Sequence, residues 1–425
     1  MKTIQINHIA KTEGHMSFLG ALLEGDFAQA RIETEEGARL LEGVLLNRAY
    51  FEAPIVTARI CGVCPIVHNL CSIKALENAL NVRPTKEIIV LRKMMLHGQW
   101  IHSHALHAFF LSFPDLVGIS NNFNLVKKYS AESKLALNLR KWALDFCKVI
   151  GGRTTHPINS VVGGFNVQPD LMELESLMAQ LPEMLDVAKK IFSFLAKQKL
   201  PEFENPWMFA ALKNGSEYPC YDGRIHLSDG NEFISPDMAM HEIEEKILPG
   251  EKVKRVFHNN QTIMTSSLAR INTNYKKLNP AAKKAWASLN MKLPCYNPFY
   301  NIPAQATEIL HSLEEIDTLF AIYKRLQAKD GFEKRLKVEF KPNPGKGSAV
   351  VEAPRGILYH HYELDKQGNI IQSNIIPPTT TFLANLENDL TAFLPTVAKV
   401  SPKKRELLIK TLIRAYDPCI SCATH

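Results

Sequence analysis

The sequence has little of the patterning that marks a membrane protein, a secreted protein or a nucleic-acid-binding protein. No stretch approaches the roughly 18 to 20 apolar residues that cross a bilayer, and the N-terminus lacks the apolar core of a secretory signal. The net charge of +7 is scattered in short basic runs without interleaved aromatic residues, which argues against nucleic-acid binding. We therefore predict a cytoplasmic protein with no membrane span and no nucleic-acid partner.

What is present is the composition of an ordinary globular protein. Of 425 residues, 46% are hydrophobic and 22% are charged, so the chain can bury a substantial core. We see no internal repeat and no low-complexity linker. We predict one large domain over 1–425, with a β-rich segment at about 1–58, an irregular middle at about 200–260 and a metal-ligand segment at about 340–425.

Hydrophobic periodicity predicts an α+β fold that is predominantly α. Alternation over the first 35 residues indicates antiparallel strands. Helical spacing begins near Cys71, with a break at Pro84, and further long helices are predicted at 129–150 and 171–198. The same spacing recurs at 261–335, Leu383–Leu394 and 403–414. The pattern favours a long central helix bundle with small peripheral antiparallel sheets.

Eight cysteines stand in the chain, and four of them form two Cys-x-x-Cys pairs. In a reducing compartment, metal ligands or buried apolar residues are more common than disulfides. Two thiolates three residues apart can bind one metal from a tight turn, and each pair is followed by a histidine. The pairs are Cys61–Cys64 with His68 and Cys419–Cys422 with His425. The cysteines left over, at positions 71, 147, 220 and 295, are predicted to be small buried hydrophobic residues.

The spacing alone leaves three kinds of site open. A redox metal is favoured, because a structural zinc ribbon places its two pairs roughly 15 to 20 residues apart and these pairs are separated by most of the chain. Zinc nevertheless remains a rival, since four-cysteine zinc sites are common. A thioredoxin-like dithiol fits less well, because it needs one pair rather than two.

The residues around the pairs resemble the large, catalytic subunit of nickel–iron hydrogenases. RICGVCPIVH at 59–68 and DPCISCATH at 417–425 match the two cysteine motifs of that family in full. The likeness extends almost through the chain and includes KTEGH at 11–15, NSVVGG at 159–164, EAPRG at 352–356, PPTTT at 377–381 and RAYD at 414–417. The chain is most similar to the soluble, cytoplasmic, bidirectional members that are linked to NAD(P) or another carrier.

This resemblance implies a nickel–iron centre that cleaves H2 reversibly into protons and electrons. Cys61 and Cys419 would be terminal nickel ligands. Cys64 and Cys422 would bridge nickel to an iron that also binds CO and cyanide. A terminal thiolate, Cys419, would then be the base in heterolytic cleavage.

The resemblance also implies roles for residues around the metals. Glu13 would pass the proton outward from Cys419. Arg355 would lie above the open face of the metals near Asp417 and polarise bound hydrogen. Two further residues, Thr379 and Pro354, would lie with Arg355 on the cofactor-binding side, Thr379 as a hydrogen-bond donor to an iron cyanide. His68 would donate a hydrogen bond to a bridging cysteine.

Other implied features lie at the C-terminus and in the helix after the first motif. His425 would help to hold Mg or another divalent cation together with Glu42, for which Glu52 is the alternative. A chain that ends at its own ligand motif suggests processing by a maturation endopeptidase. Where many family members have His-Asp-His, this chain has His102-Ser103-His104, so a second carboxylate in the pocket is expected to be missing.

The electrons that H2 releases need a route out of the chain. The cysteines left over are too scattered for an iron–sulfur cluster, and no glycine fingerprint for a dinucleotide is present. The resemblance therefore implies an iron–sulfur small subunit and, beyond it, a carrier-reducing subunit of the diaphorase type. The alternative is a non-catalytic subunit on the same fold, either an H2 sensor or a structural metal-binding protein.

Overall fold

The N-terminal segment forms the antiparallel sheet that alternation predicted. The computed structural model describes residues 2–22, 28–233, 235–328 and 336–425. Its first three strands, β1 (Lys2–Ile6), β2 (Met16–Leu22) and β3 (Ala28–Thr34), pair in the order β1-β2-β3. Phe18 and Ile32 are fully buried, so one face of this sheet packs on the core.

Two short helices connect this sheet to the first cysteine motif. They are α1 (Leu41–Leu45) and α2 (Ala53–Thr57), and α3 (Pro65–Ala79) begins directly after Cys64. A proline suits the first turn of a helix, because the amide hydrogen that it lacks would have no intrahelical acceptor there. Nearly every residue of α3 is buried, which fixes the position of the cysteines that precede it.

Six helices follow in the centre of the molecule, where long helices were predicted. They are α4 (Lys86–Ala105), α5 (Phe113–Leu116), α6 (Asn122–Lys128), α7 (Ser130–Gly151), α8 (Leu171–Ala179) and α9 (Leu181–Ala196). Of these, α4, α7 and α9 are long. A π-helical turn, Leu106–Ser112, follows α4. The predicted helix at 171–198 is divided at Gln180, with Pro182 in the first turn of α9.

The middle region contains more regular structure than the sequence indicated. After the short hairpin β4 (Ser160–Val161) and β5 (Gly164–Phe165), six strands form one sheet in the order β8-β7-β6-β11-β10-β9. They are β6 (Met208–Lys213), β7 (Arg224–Leu227), β8 (Glu232–Phe233), β9 (Ile243–Ile247), β10 (Lys254–His258) and β11 (Gln261–Met264), with α10 (Pro236–Glu242) before β9. Strands β6 and β11 are parallel, and a small hydrophobic core lies beneath them.

The remaining helices and strands bring the C-terminus back to the centre. They are α11 (Ser267–Asn274), α12 (Pro280–Ala287), α13 (Asn301–Gln327), β12 (Gly345–Ala353), β13 (Gly356–Leu364), β14 (Ile370–Ile376), α14 (Pro378–Thr396), α15 (Pro402–Ala415) and α16 (Ile420–Ala423). Helix α13 packs along α4. The last part of the helical stretch predicted at 261–335 lies outside the described residues.

Strand β12 lies in the interior rather than at the periphery. It packs against α3 so closely that a Cβ atom on Gly347 would lie 2.2 Å from the Ala79 nitrogen. Only glycine permits such an approach of two backbones. Helix α3 therefore has the strand that leads to Arg355 on one side and the first cysteine motif at its start.

Within the described ranges, no helix is both long enough and apolar enough to cross a bilayer. The predominance of helix with attached sheets confirms the predicted fold class.

Candidate metal centre

The four cysteines of the two motifs converge on one buried point. Their sulfur atoms all lie within 4.8 Å of one another. The Sγ of Cys419 is 2.8 Å from that of Cys422 and 3.5 Å from that of Cys61, and the Sγ of Cys64 is 3.3 Å from that of Cys422. All four side chains are at most 4% exposed.

Hydrogen bonds from Arg39 hold the two motifs against each other. Arg39 donates from Nη2 to the carbonyl oxygens of Ile60 and Ser421, the residues just before Cys61 and Cys422. Its backbone nitrogen donates to the Thr424 carbonyl at 2.8 Å. A single arginine therefore joins the N-terminal and C-terminal ligand segments.

The donor set fits a bound metal and is unfavourable without one. Burial raises the pKa of Cys419 and of Cys422 well above the ordinary value, whereas hydrogen bonds with the other three sulfurs lower that of Cys61. Four buried sulfurs at these distances cannot all ionise unless a cation compensates their charge. Soft thiolates suit nickel and iron as well as zinc.

Glu13 contacts this sulfur cluster directly. Its Oε2 lies 3.1 Å from the Cys419 sulfur and accepts a hydrogen bond from the Ser421 amide at 3.1 Å. Its carbonyl oxygen accepts from the Ile420 amide at 2.9 Å. Burial, followed by the charge of Cys61, raises the pKa of Glu13, so a proton is held at this carboxyl more readily than at an exposed one.

Arg355 and Asp417 form a buried ion pair beside the sulfurs. Arg355 donates from Nε to the Asp417 carbonyl at 2.8 Å and to Oδ1 at 2.9 Å, and its Nη2 is 2.9 Å from the same Oδ1. Although burial opposes the charge, Asp417 and then Cys419 raise the pKa of Arg355 well above its ordinary value. In the described residues, Asp417 is its one carboxylate partner, and its Nη1 has no hydrogen-bond partner.

His68 contacts the cluster at Cys422. Its Nε2 is 3.5 Å from the Cys422 sulfur, and its Nδ1 is 3.3 Å from His360. Burial lowers the pKa of His68 to about 3. A neutral imidazole with two hydrogen-bonding nitrogens fits the predicted position next to a ligand sulfur.

Thr379 also lies at the site, next to Cys419. The Thr379 hydroxyl oxygen accepts from the Cys419 amide at 3.0 Å, which leaves its own hydrogen free for another acceptor. Pro354 precedes Arg355, and its carbonyl accepts from Arg270 at 2.8 Å. The buried hydroxyl of Thr380, next along the chain, has no partner among the described residues.

His425 and Glu42 meet a short distance from the cysteines. Nε2 of His425 is 3.8 Å from Glu42 Oε1 and 2.9 Å from the Ile375 carbonyl oxygen. Burial would raise the pKa of Glu42, but the hydrogen bond and charge of His425 lower it. Glu52, the alternative, instead pairs with Arg48 at 2.8 Å.

The other predicted positions behave as buried residues. Cys71, Cys147, Cys220 and Cys295 are buried free thiols, as expected of core cysteines. Ser103 occupies the place between His102 and His104, and its buried hydroxyl has no partner in the described ranges.

Three residues lie in or around the site although no sequence motif predicts their presence there. Arg39 links the two cysteine motifs through contacts that span the chain. Glu36 accepts from Ser421 and Thr424, and Gln305 donates to Asp417 at 3.0 Å. Each acts through contacts between segments that are distant in the sequence, so no local motif could identify it.

The fold and the site together define a class: a metalloprotein whose four cysteine ligands come from the two ends of one chain. A family model described as nickel-dependent hydrogenase matches residues 39–136 and 258–425. The alpha subunit of sulfhydrogenase 1 from Pyrococcus furiosus is 33% identical over 428 residues, covering 99% of this chain and 97% of that protein.

Further similarity is found to NAD-reducing enzymes. The beta subunit of NAD-reducing hydrogenase HoxS from Cupriavidus necator is 26% identical over 477 residues, covering 100% of this chain and 95% of that protein. A crystal structure of an NAD+-reducing NiFe hydrogenase in the H2-reduced state has a TM-score of 0.89 at 25% identity, with both chains fully covered.

The chain belongs to the large-subunit family of nickel-dependent hydrogenases. It is an oxidoreductase that acts on H2. The match confirms the resemblance and decides between the metals that cysteine spacing left open, because the family and the four-cysteine set support nickel and iron.

Proposed function

We propose that this chain cleaves H2 heterolytically and reversibly at a nickel–iron centre, with Cys419 and Glu13 moving the proton. The observation that favours this reaction most is the 3.1 Å contact between the Cys419 sulfur and Glu13 Oε2. When bound, the metal pair supplies the Lewis acidity and the two-electron redox capacity that the cleavage of H2 requires.

We assign Cys61 and Cys419 as terminal nickel ligands and Cys64 and Cys422 as the bridge to iron. This division follows the position of each cysteine in the two family motifs. His68 contacts Cys422, where an imidazole N–H would reduce the negative charge of a bridging thiolate. The free hydrogen of Thr379 suits a cyanide ligand on iron, which would bind CO as well.

The proton route begins at the Cys419 sulfur and continues at Glu13. A buried thiolate next to a carboxyl of raised pKa can exchange a proton along an existing hydrogen bond. Glu13 is only partly buried, so it can return the proton toward water. Arg355, with its unpartnered Nη1, would polarise H2 while Asp417 holds its orientation.

Replacing Glu13 with glutamine tests this route. Glutamine retains an acceptor oxygen for the Ser421 amide but cannot take up a proton. We expect H2/D2 isotope exchange, followed by mass spectrometry, to fall by about two to four orders of magnitude at unchanged nickel and iron content.

The matched control is Glu36→Gln, which alters a carboxyl that contacts the same C-terminal segment and should leave the exchange rate near that of the native chain. Unchanged exchange in Glu13→Gln would remove Glu13 from the route.

We also propose a divalent-cation site between Glu42 and His425, with magnesium as the expected ion. The Ile375 carbonyl oxygen faces the same space as His425 Nε2, which provides the oxygen ligands that a hard cation prefers. His425 Nδ1 is 2.5 Å from the Cys422 carbonyl oxygen, so an ion there would fix the segment that bears Cys422.

Substitution of Glu42 by glutamine should release this cation. The amide oxygen of the new side chain would still accept from the Ile375 amide, as Glu42 does at 2.8 Å, so the backbone contact is preserved while the charge is lost. Metal analysis should show about one magnesium fewer per chain, whereas Glu52→Gln should change nothing. Equal magnesium in both variants would contradict the site.

We propose that the electrons leave through an iron–sulfur partner subunit and reach a carrier such as NAD(P) through further subunits. An NAD-reducing relative and structural neighbour support this assignment.

Between β3 and Cys61, exposed apolar side chains recur at Leu40, Val44, Leu46, Phe51 and Ile55. Closely spaced exposed apolar residues commonly mark an interface, and this segment leads directly to a nickel ligand. A cytoplasmic location stays a prediction.

Phe51→Glu tests this docking segment, because a charge at a side chain that is 58% exposed should be tolerated in the free chain but not in an apolar contact. We expect the variant to separate from its iron–sulfur partner in size-exclusion chromatography with its nickel content retained. Phe123→Glu, at an even more exposed phenylalanine on α6, should still co-elute with the partner. Partner loss from Phe123→Glu alone would contradict the proposal.

A further inference from the structure

The carboxylate of Asp417 is held on both of its oxygens, and only one of them contacts Arg355. Oδ1 accepts from Arg355, whereas Oδ2 accepts from the Gln305 side chain at 3.0 Å. Asp417 itself has a left-handed backbone, with φ of 54°, an uncommon conformation for a residue other than glycine. Its side chain is contacted by Arg355, from the turn between β12 and β13, and by Gln305 on α13.

The contact with Asp417 fixes the orientation of the Gln305 amide. A carboxylate accepts hydrogen bonds only, so the amide nitrogen of Gln305 must face it and the amide oxygen must face away. That oxygen lies 2.5 Å from Nδ1 of His107. A hydrogen on Nδ1 would make this contact a donation from His107 to the Gln305 oxygen.

The other side of the His107 ring is anchored separately. Nε2 lies 2.9 Å from the Ser112 hydroxyl and 2.7 Å from the Arg414 carbonyl oxygen. Ser112 ends the π-helical turn after α4, a conformation frequent at functional sites. Arg414 lies on α15 and pairs with Asp115. The ring therefore contacts both its own π-helical turn and α15.

We propose that Gln305 and His107 are positioning residues for the Arg355–Asp417 pair, and this inference rests on the proposed role of that pair beside the metals. His107 donates to Gln305, and Gln305 donates to Asp417. Because Asp417 is the one carboxylate paired with Arg355 among the described residues, a rotation of its side chain would also move the guanidinium.

All three members of the chain of hydrogen bonds are at most 2% exposed. Water cannot replace a lost donor there without entering the interior. This series of hydrogen bonds therefore acts as a rigid support that fixes which Asp417 oxygen faces Arg355.

Two amide substitutions at His107 separate this role from simple packing. The nitrogen of an asparagine side chain lies near the place of Nδ1, and that of a glutamine near the place of Nε2. His107→Asn should keep the bond to Gln305 and retain kcat within about threefold. His107→Gln should keep only the Ser112 and Arg414 side and lose about ten- to a hundredfold in kcat, with KM for H2 and metal content unchanged.

The nickel electron paramagnetic resonance spectrum of the assembled enzyme gives a readout independent of turnover. Its g values should match the native enzyme in His107→Asn and shift in His107→Gln. If the ring only fills space, both variants should behave alike or glutamine should be the better substitute, and either result overturns the proposal.

Gln305→Met is the second variant, since it preserves volume and removes the hydrogen bond. A native spectrum and native kcat in Gln305→Met would overturn the proposal even if the His107 variants fail to fold. Asp417→Asn, which suits the left-handed backbone, distinguishes the proposed role of the Arg355–Asp417 pair from the positioning role of Gln305 and His107. Native kcat in Asp417→Asn would refute the proposed role of the ion pair, whereas a slow Asp417→Asn with native Gln305→Met would refute the positioning chain alone.

Discussion

Four buried sulfurs within 4.8 Å of one another are the constraint on which the rest of this structure depends. Sulfurs so close cannot share negative charge in a low-dielectric interior unless a cation compensates it. Two of them follow α2 and two lie at the C-terminus, so the fold must bring both ends of the chain to one point. Arg39, which donates to the carbonyls before both motifs, and the β12–α3 contact at Gly347 satisfy that requirement.

The four sulfurs do not have equivalent surroundings, because different polar groups contact different sulfurs. A carboxyl of raised pKa, Glu13, lies next to Cys419, and a neutral histidine, His68, lies next to Cys422. The buried Arg355–Asp417 pair provides a fixed positive charge. The proposed roles in proton transfer, thiolate charge and substrate polarisation thus fall to three different groups around one cluster. A purely structural metal site would need none of these three groups.

Sequence reasoning identified much of this site, because the ligands come in short motifs. The two Cys-x-x-Cys pairs, Glu13 and the arginine of EAPRG each have a local signature, and the structure brings them together. The six-stranded middle sheet was not anticipated, since its strands are short and its parallel pair joins β6 to β11. Gln305 and Arg39 act across distant segments and leave no local pattern. That the chain forms one domain stays a prediction.

The infrared spectrum of the purified enzyme tests the central claim most directly, namely that these four cysteines hold a nickel–iron centre that acts on H2. We expect bands from CO and cyanide bound to iron, and a shift in their frequencies when H2 is admitted. A preparation that contains nickel and iron but shows no such bands, or bands that do not respond to H2, would contradict this account.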